Sequence, residues 1–204
     1  MNNNFKIEIA NKNHIIYIND ICKAIEQTSK TKGTGIAKRE PDYIKEKILQ
    51  NKAVIALTTE NVFCGFCYIE TFSNDNYVAN SGLIVVEKYR NQGIAKKIKK
   101  EIFNLSTIKY PNAKIFGLST ELAVMKINSE LGYNPVTYSE LTHDYTFWKG
   151  CESCSNYDIL VNKRHENCLC TAMLYKKSNE KEEVELNLYE RLIRLKKFVF
   201  LKNK

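Results

Sequence analysis

Residues 83–95 constrain the fold more than any other stretch of the sequence. Leu83-Ile84-Val85-Val86 is an apolar run of the kind a covered strand needs, Glu87 to Gln92 is polar, and Gly93 and Ala95 are small. From there Ile94, Ile98, Ile102 and Leu105 recur at helical spacing, and Pro111 marks the end of that helix. A strand that turns tightly into a helix leaves the first helical N–H groups unsatisfied and places the positive end of the helix dipole at the turn. Small residues at 93 and 95 let a ligand approach that backbone, so the segment reads as an anion site. A strand–helix turn with one glycine is the equally ordinary alternative. The charge balance, 31 Lys and Arg against 23 Asp and Glu for a net +8, fits a phosphate-bearing partner. It does not choose between a nucleic acid and a phosphorylated cofactor.

The flanking sequence predicts a mixed α/β protein. Residues 5–10 alternate as a first strand, and Ile15, Ile18, Cys22 and Ile25 share a helix face within 13–29. Residues 33–39 read as a loop, and Pro41 opens a second helix with Ile44 and Ile48 inward. Strands are expected at 53–59, 62–72 and 77–86, then after the central helix at 114–119 and 135–139, with a helix over 121–131 closed by Gly132. A composition of 44% hydrophobic and 26% charged residues, with 8 Gly and 3 Pro, excludes disordered and collagen-like chains. No apolar run reaches the length of a membrane span, and the N-terminal residues lack a leader pattern, so a cytoplasmic protein is expected. Its seven cysteines are then expected as thiols or metal ligands.

Arg90-x-x-Gly93-x-Ala95, followed downstream by Leu131-Gly132-Tyr133-Asn134-Pro135-Val136, resembles the coenzyme A signature and second motif of the GNAT (Gcn5-related N-acetyltransferase) superfamily. The resemblance implies a mixed, splayed central sheet flanked by helices, with the pantetheine arm of acyl-CoA entering between the fourth and fifth strands. It assigns cofactor binding to the backbone of Val85 and Val86 and to Arg90, Asn91, Gln92, Gly93, Ile94 and Ala95, with Lys96, Lys97, Lys99 and Lys100 available to screen phosphates. Catalysis is transfer of an acyl group from the thioester to an amine, which needs a base and benefits from an acid. Glu70 is the first candidate base, ahead of Glu121 and His143. The family's acid, a tyrosine, falls at Asn128, which cannot donate a proton as an acid; this chain then uses Tyr133, a water or another group, or lets the thiolate leave unprotonated.

Gly33-Thr34-Gly35-Ile36-Ala37-Lys38-Arg39, Ala79-Asn80-Ser81-Gly82, residues 123–133 and Phe147-Trp148-Lys149-Gly150-Cys151 resemble a group of short bacterial acyltransferases of arginine biosynthesis. That resemblance implies acylation of the α-amine of glutamate from acetyl-CoA or succinyl-CoA. Lys38, Arg39, Asn80 and Ser81 become substrate-binding candidates, Arg39 as a bidentate partner for a carboxylate. A protein or peptide N-acetyltransferase is the alternative within the same fold.

Cys151-x-x-Cys154 and Cys168-x-Cys170, with His165 nearby, have the composition of a structural Zn site in a small ribbon. Four reduced, packed cysteines are the competing reading. Cys64 and Cys67, three apart on a strand, are expected on opposite faces. The expected division is an acyltransferase domain over 1–147, a Cys-rich subdomain over 148–177 and an amphipathic helical tail over 178–204. The tail's apolar stripe suits docking on its own domain or on a twin subunit as a homodimer. A basic zinc-ribbon nucleic-acid-binding module is the reading from another class, although the lysines are scattered over several elements rather than gathered on one face.

Overall fold

The computed structural model describes residues 5–32 and 36–177. Along the chain run β1 (Phe5–Ile9), α1 (Ile18–Lys32), α2 (Pro41–Leu49), β2 (Ala53–Thr58), β3 (Phe63–Phe72), β4 (Tyr77–Val85) and α3 (Ile94–Lys109). They are followed by β5 (Lys114–Ser119), α4 (Leu122–Glu130), β6 (Asn134–Val136), α5 (Tyr145–Lys149), α6 (Tyr157–Asn162) and β7 (Thr171–Tyr175). The stretch expected as the start of the first helix is a 3-10 turn at Lys12–Tyr17, capped by Asn11 and His14, and α1 proper begins after it.

Strand β2 shows why the sheet sits where it does. It is buried along its whole length, and its side chains alternate between two cores. Ala53, Ile55 and Leu57 pack with Ile21, Ile25, Ile44 and Ile48 of α1 and α2 on one face. Val54 and Ala56 pack with Ile94, Ile98, Ile102 and Leu105 of α3 on the other. A third core gathers Phe72, Phe116, Trp148, Leu160 and Leu174 at the far end of the sheet.

The seven strands lie in the order β1-β2-β3-β4-β5-β7-β6, antiparallel except for the parallel β4–β5 pair. That pair joins Tyr77, Val78 and Ala79 to Lys114, Ile115 and Phe116 and goes no further. From Asn80 and Gly117 onward the two strands run without each other, which is the opening expected between the fourth and fifth strands.

Two irregularities shape this region. In β4, Ser81 and Ile84 face Tyr68 and Phe66, so an extra residue bulges out at residues 82–83. Gly82 takes φ +64, and a Cβ there would lie 2.3 Å from the Tyr68 ring, so only glycine fits. In β3, the register shifts opposite Ala56 and Leu57. That extra residue changes the alternation by one and brings Cys64 and Cys67 into the same core, not onto opposite faces.

The C-terminal part differs from the division expected at 147/148. Strand β7, from within the cysteine-rich stretch, inserts between β5 and β6 and pairs with both. Residue 148 is therefore no boundary of the sheet; Trp148 itself is buried in the third core. The glycines at 33 and 35 and the tail over 178–204, with the helix and twin-subunit docking read from it, lie outside the described residues.

Candidate active site

Where β4 and β5 part, a cavity of about 210 Å³ opens, lined by the β4 bulge, the C-terminal end of β5, the α1–α2 connection and the cysteine-rich segment. Arg39, Glu70, Asn80, Ser81, Asn128 and Lys99 all contribute to its wall. Of the sequence candidates, Lys38 and His143 do not; both are exposed. Glu121 does line it.

Arg39 is held from behind. Its Nε donates to Tyr68 Oη at 2.6 Å and one terminal nitrogen donates to the Lys38 carbonyl at 2.8 Å, leaving the other terminal nitrogen without a hydrogen bond among the described residues. The guanidinium also lies over the Tyr43 ring at 5.6 Å. Burial works against its charge, but Tyr68, Glu70 and Tyr43 more than offset this, so its pKa is raised. Burial, with Tyr68 and Glu70 acting in the same direction, pushes the Tyr43 phenol far above the ordinary range. Arg39, Tyr68 and Glu70 thus meet at one end of the cavity, with the Tyr43 ring against the guanidinium, a fixed cation beside a carboxylate.

The other end is built differently. Asn80 donates to Ser106 Oγ at 2.8 Å and accepts from Tyr133 Oη at 3.0 Å. Tyr133 is only 2% exposed and does not line the cavity. Burial, with Cys67 and Tyr175 nearby, raises its pKa well above the usual phenol value. This candidate acid is a buried donor to Asn80, because the aromatic packing of Phe103 and Tyr175 turns its ring under the sheet. Asn128, 1% exposed, donates to Met173 Sδ at 3.7 Å, and its Oδ1 has no hydrogen-bond partner among the described residues.

The phosphate turn has the geometry an anion site needs. Gly93, at φ 75 and ψ 4, caps α3 with no side chain bonded to the first-turn N–H groups. A Cβ there would meet nothing within 4 Å, so the approach is open. Asn91 and Gln92 are exposed, whereas Ile94 is buried and anchors the helix. Arg90 is folded back, Nε to the Val85 carbonyl at 3.1 Å and a terminal nitrogen to Thr28 at 3.4 Å, so it ties the turn to β4 and α1. The Val86 N–H is taken by the Cys64 carbonyl and the Val86 carbonyl by the Tyr89 N–H, while the Val85 carbonyl accepts from Arg90. Lys97 and Lys100 are exposed and Lys96 pairs with Glu130 at 2.7 Å, but Lys99 is buried at 2% exposure and points to the cavity, not to the turn.

Cys151, Cys154, Cys168 and Cys170 share one wall of the cavity as free thiols. Among the described residues no group of three or more His, Cys, Asp or Glu is arranged to hold a metal ion, so the expected zinc site finds no support there. The thiols are engaged otherwise: Cys154 Sγ accepts from the Asn156 N–H at 3.4 Å and Cys168 Sγ donates to the Asn156 carbonyl at 3.6 Å. Burial and the neighbouring thiols push Cys151 up to about 11 and Cys170 up to about 12, which keeps both protonated at neutral pH. His165 faces the Trp148 ring at 5.8 Å.

A sheet whose parallel pair separates beside a glycine-capped helix is the GNAT acetyltransferase fold, and the chain has that fold. No family model matches the sequence, and no curated protein matches it. Among solved structures it is similar to N-acetylglutamate synthase from Neisseria gonorrhoeae complexed with coenzyme A and N-acetyl-glutamate, at 18% identity and a TM-score of 0.60. That match covers 84% of this chain but 35% of the other, so the chain spans about a third of that enzyme's length. A Mycobacterium tuberculosis protein in complex with CoA matches at 12% identity and a TM-score of 0.60, covering 83% of this chain and 98% of that one. A phosphinothricin acetyltransferase from Sinorhizobium meliloti in complex with acetyl-CoA matches at 14% identity and a TM-score of 0.54, covering 85% and 87%.

Proposed function

We propose that the protein is an acyl-CoA-dependent N-acyltransferase acting on the α-amine of a small acidic amino acid, with glutamate as the acceptor and arginine biosynthesis as its setting. The observation that carries this reading is that one cavity at the β4–β5 opening holds both Arg39 and Glu70. Solved structures of the same fold, described as complexes with CoA or acetyl-CoA, support the donor class.

In this reading the pyrophosphate of acyl-CoA meets the free N–H groups after Gly93, and the thioester reaches the bulge at Ser81 and Gly82. The acceptor's carboxylate pairs with the free edge of Arg39, a charge-assisted contact that orients the amine. Glu70 takes a proton from the ammonium, and the neutral nitrogen attacks the thioester carbonyl carbon. The C–N bond forms, the C–S bond breaks, and the sulfur leaves with the bonding pair. Asn128 has no acidic proton and Tyr133 is committed to Asn80, so the thiolate takes its proton from water.

The test is product identification by mass spectrometry, with acetyl-CoA and succinyl-CoA offered against glutamate, ornithine, lysine and a peptide amine. Thiol-reactive dyes are unsuitable because the chain itself carries seven cysteines. N-acylglutamate is the expected product. Acylation of the peptide alone would replace the acceptor assignment with the protein N-acetyltransferase reading.

A further inference from the structure

Lys99 is an anomaly that neither the turn nor the Arg39 network uses. It is 2% exposed, and among the described residues its ammonium has no hydrogen-bond acceptor and no carboxylate partner. The ammonium lies over the face of Tyr133, 5.3 Å from the ring centre. Burying a cation without an anion is costly, and proteins rarely keep one without a use. Burial lowers its pKa to about 8, with the nearby Cys67 thiol acting the other way, so the amine still carries its proton at neutral pH.

The space in front of Lys99 is shaped by Gly117. A Cβ on Gly117 would lie 3.8 Å from Lys99 Nζ and 3.7 Å from Asn128 Nδ2, with the Asn80 carbonyl at 4.0 Å. The missing side chain therefore leaves a void between two nitrogen donors. Asn128 Nδ2 carries two hydrogens and spends one on the weak Met173 contact, so the second remains for a ligand. Lys99, Asn128 and Gly117 all line the same cavity as Arg39, and they lie where β4 and β5 cease to pair.

We propose that Lys99 Nζ and Asn128 Nδ2, around the void left by Gly117, form a second carboxylate-binding subsite on the floor of the cavity. A void flanked by a desolvated ammonium and an amide N–H suits a formal anion better than a neutral group. This inference rests on the acyltransferase reading and sharpens it: with Arg39 taking one carboxylate, the substrates together must bring another. It comes either from the side chain of the acceptor or from the distal end of a dicarboxylic acyl donor, and in both cases the reacting atoms lie between the two cations.

The test is calorimetric binding to the full chain, with wild type, Lys99→Met and Gly117→Ala. The probes are succinyl-CoA against acetyl-CoA, and glutamate against norvaline, which lacks the side-chain carboxylate. Lys99→Met is expected to reduce one of the two affinity ratios by roughly 30-fold or more, as loss of a desolvated charge partner does. A fall in the succinyl-to-acetyl ratio places the carboxylate on the donor; a fall in the glutamate-to-norvaline ratio places it on the acceptor. Gly117→Ala, which keeps the cation and fills the void, should act in the same direction, and circular dichroism checks that each variant folds. Should Gly117→Ala not fold, Lys99→Met carries the reading alone. Unchanged ratios in Lys99→Met, or a wild type that prefers neither carboxylate-bearing probe, would overturn the subsite. Lost turnover with both ratios intact would also overturn it and move Lys99 to the reacting carbonyl. A wild type that forms no N-acyl product but shows the ratio change would overturn the transferase reading and leave the subsite standing.

Discussion

Lys96, Lys97, Lys99 and Lys100 occupy five consecutive positions of α3, yet they meet opposite environments. Three face solvent near the phosphate turn, and Lys96 makes an ion pair in which both side chains stay more than half exposed. Lys99 follows Ile98, one of the most deeply buried side chains of the helix, and is itself buried against Tyr133 beneath the split sheet. Residue type and local charge density are the same for all four. What separates them is the helical angle and the gap that β4 and β5 leave on the one side where a long side chain finds room. The cavity repeats the contrast: at one end a cation is fixed by Tyr68 and Tyr43, and at the other a cation waits unpaired.

The substitution expected to do most damage is Gly82→Ala. Its Cβ would meet the buried Tyr68 ring at 2.3 Å with φ held at +64, so a loss of about 3 kcal/mol or more is expected from overpacking and left-handed strain together. Denaturant unfolding measures it, and a loss below about 1 kcal/mol would show that the bulge is not fixed by this contact.

Lys99→Met comes next and has the opposite sign. Removing an unpaired buried cation while keeping side-chain length should stabilise the fold by about 1–3 kcal/mol at pH 7. The pH dependence follows from the direction of the shift. The folded-state pKa, about 8, lies below the ordinary 10.5, so between these values the unfolded chain holds the proton and the folded one does not. Wild-type stability therefore rises relative to Lys99→Met across that window, by up to about 3 kcal/mol, and below pH 8 the full penalty is present. Parallel pH profiles for the two proteins would mean that Lys99 is solvated.

Arg39→Ala should raise the KM of the acidic acceptor by roughly 10- to 100-fold, the worth of a hydrogen-bonded charge contact, and steady-state kinetics by product mass spectrometry reads it. An unchanged KM would remove Arg39 from the acceptor site. Gly93→Ala differs from Gly82→Ala in one respect, since the new Cβ meets open space. Only the left-handed backbone is strained, at a cost of about 1–2 kcal/mol in thermal or chemical unfolding. Lys96→Ala is the smallest expected effect: loss of an exposed ion pair with Glu130 should shift stability by less than about 1 kcal/mol, which sets the scale against which Lys99 is judged.

The strands of the central hairpins and the glycine-capped helix were legible because burial on both faces writes continuous apolar runs, and because a strand–glycine–helix junction leaves few alternatives. Strand β7 was not. Its five residues follow two cysteines with no distinguishing period, and its partner β5 lies far back in the chain, so local sequence says nothing of the pairing. Cys64 and Cys67 show a second limit: the alternation rule holds until a bulge adds one residue, and the bulge opposite Ala56 and Leu57 is set by the partner strand. At the site, Arg39, Glu70, Asn80, Ser81 and Asn128 were named from the sequence and line the cavity. Lys99 was grouped with its exposed neighbours, since a helical lysine one position beyond an inner isoleucine carries no mark of burial until the gap beside it is known.

The most direct test of the account is a crystal structure of the protein with CoA and glutamate. The account predicts the pyrophosphate on the backbone after Gly93, the pantetheine arm between β4 and β5, and a glutamate carboxylate on Arg39 with its amine facing Glu70. CoA bound away from the β4–β5 opening, or glutamate without a contact to Arg39, would contradict it.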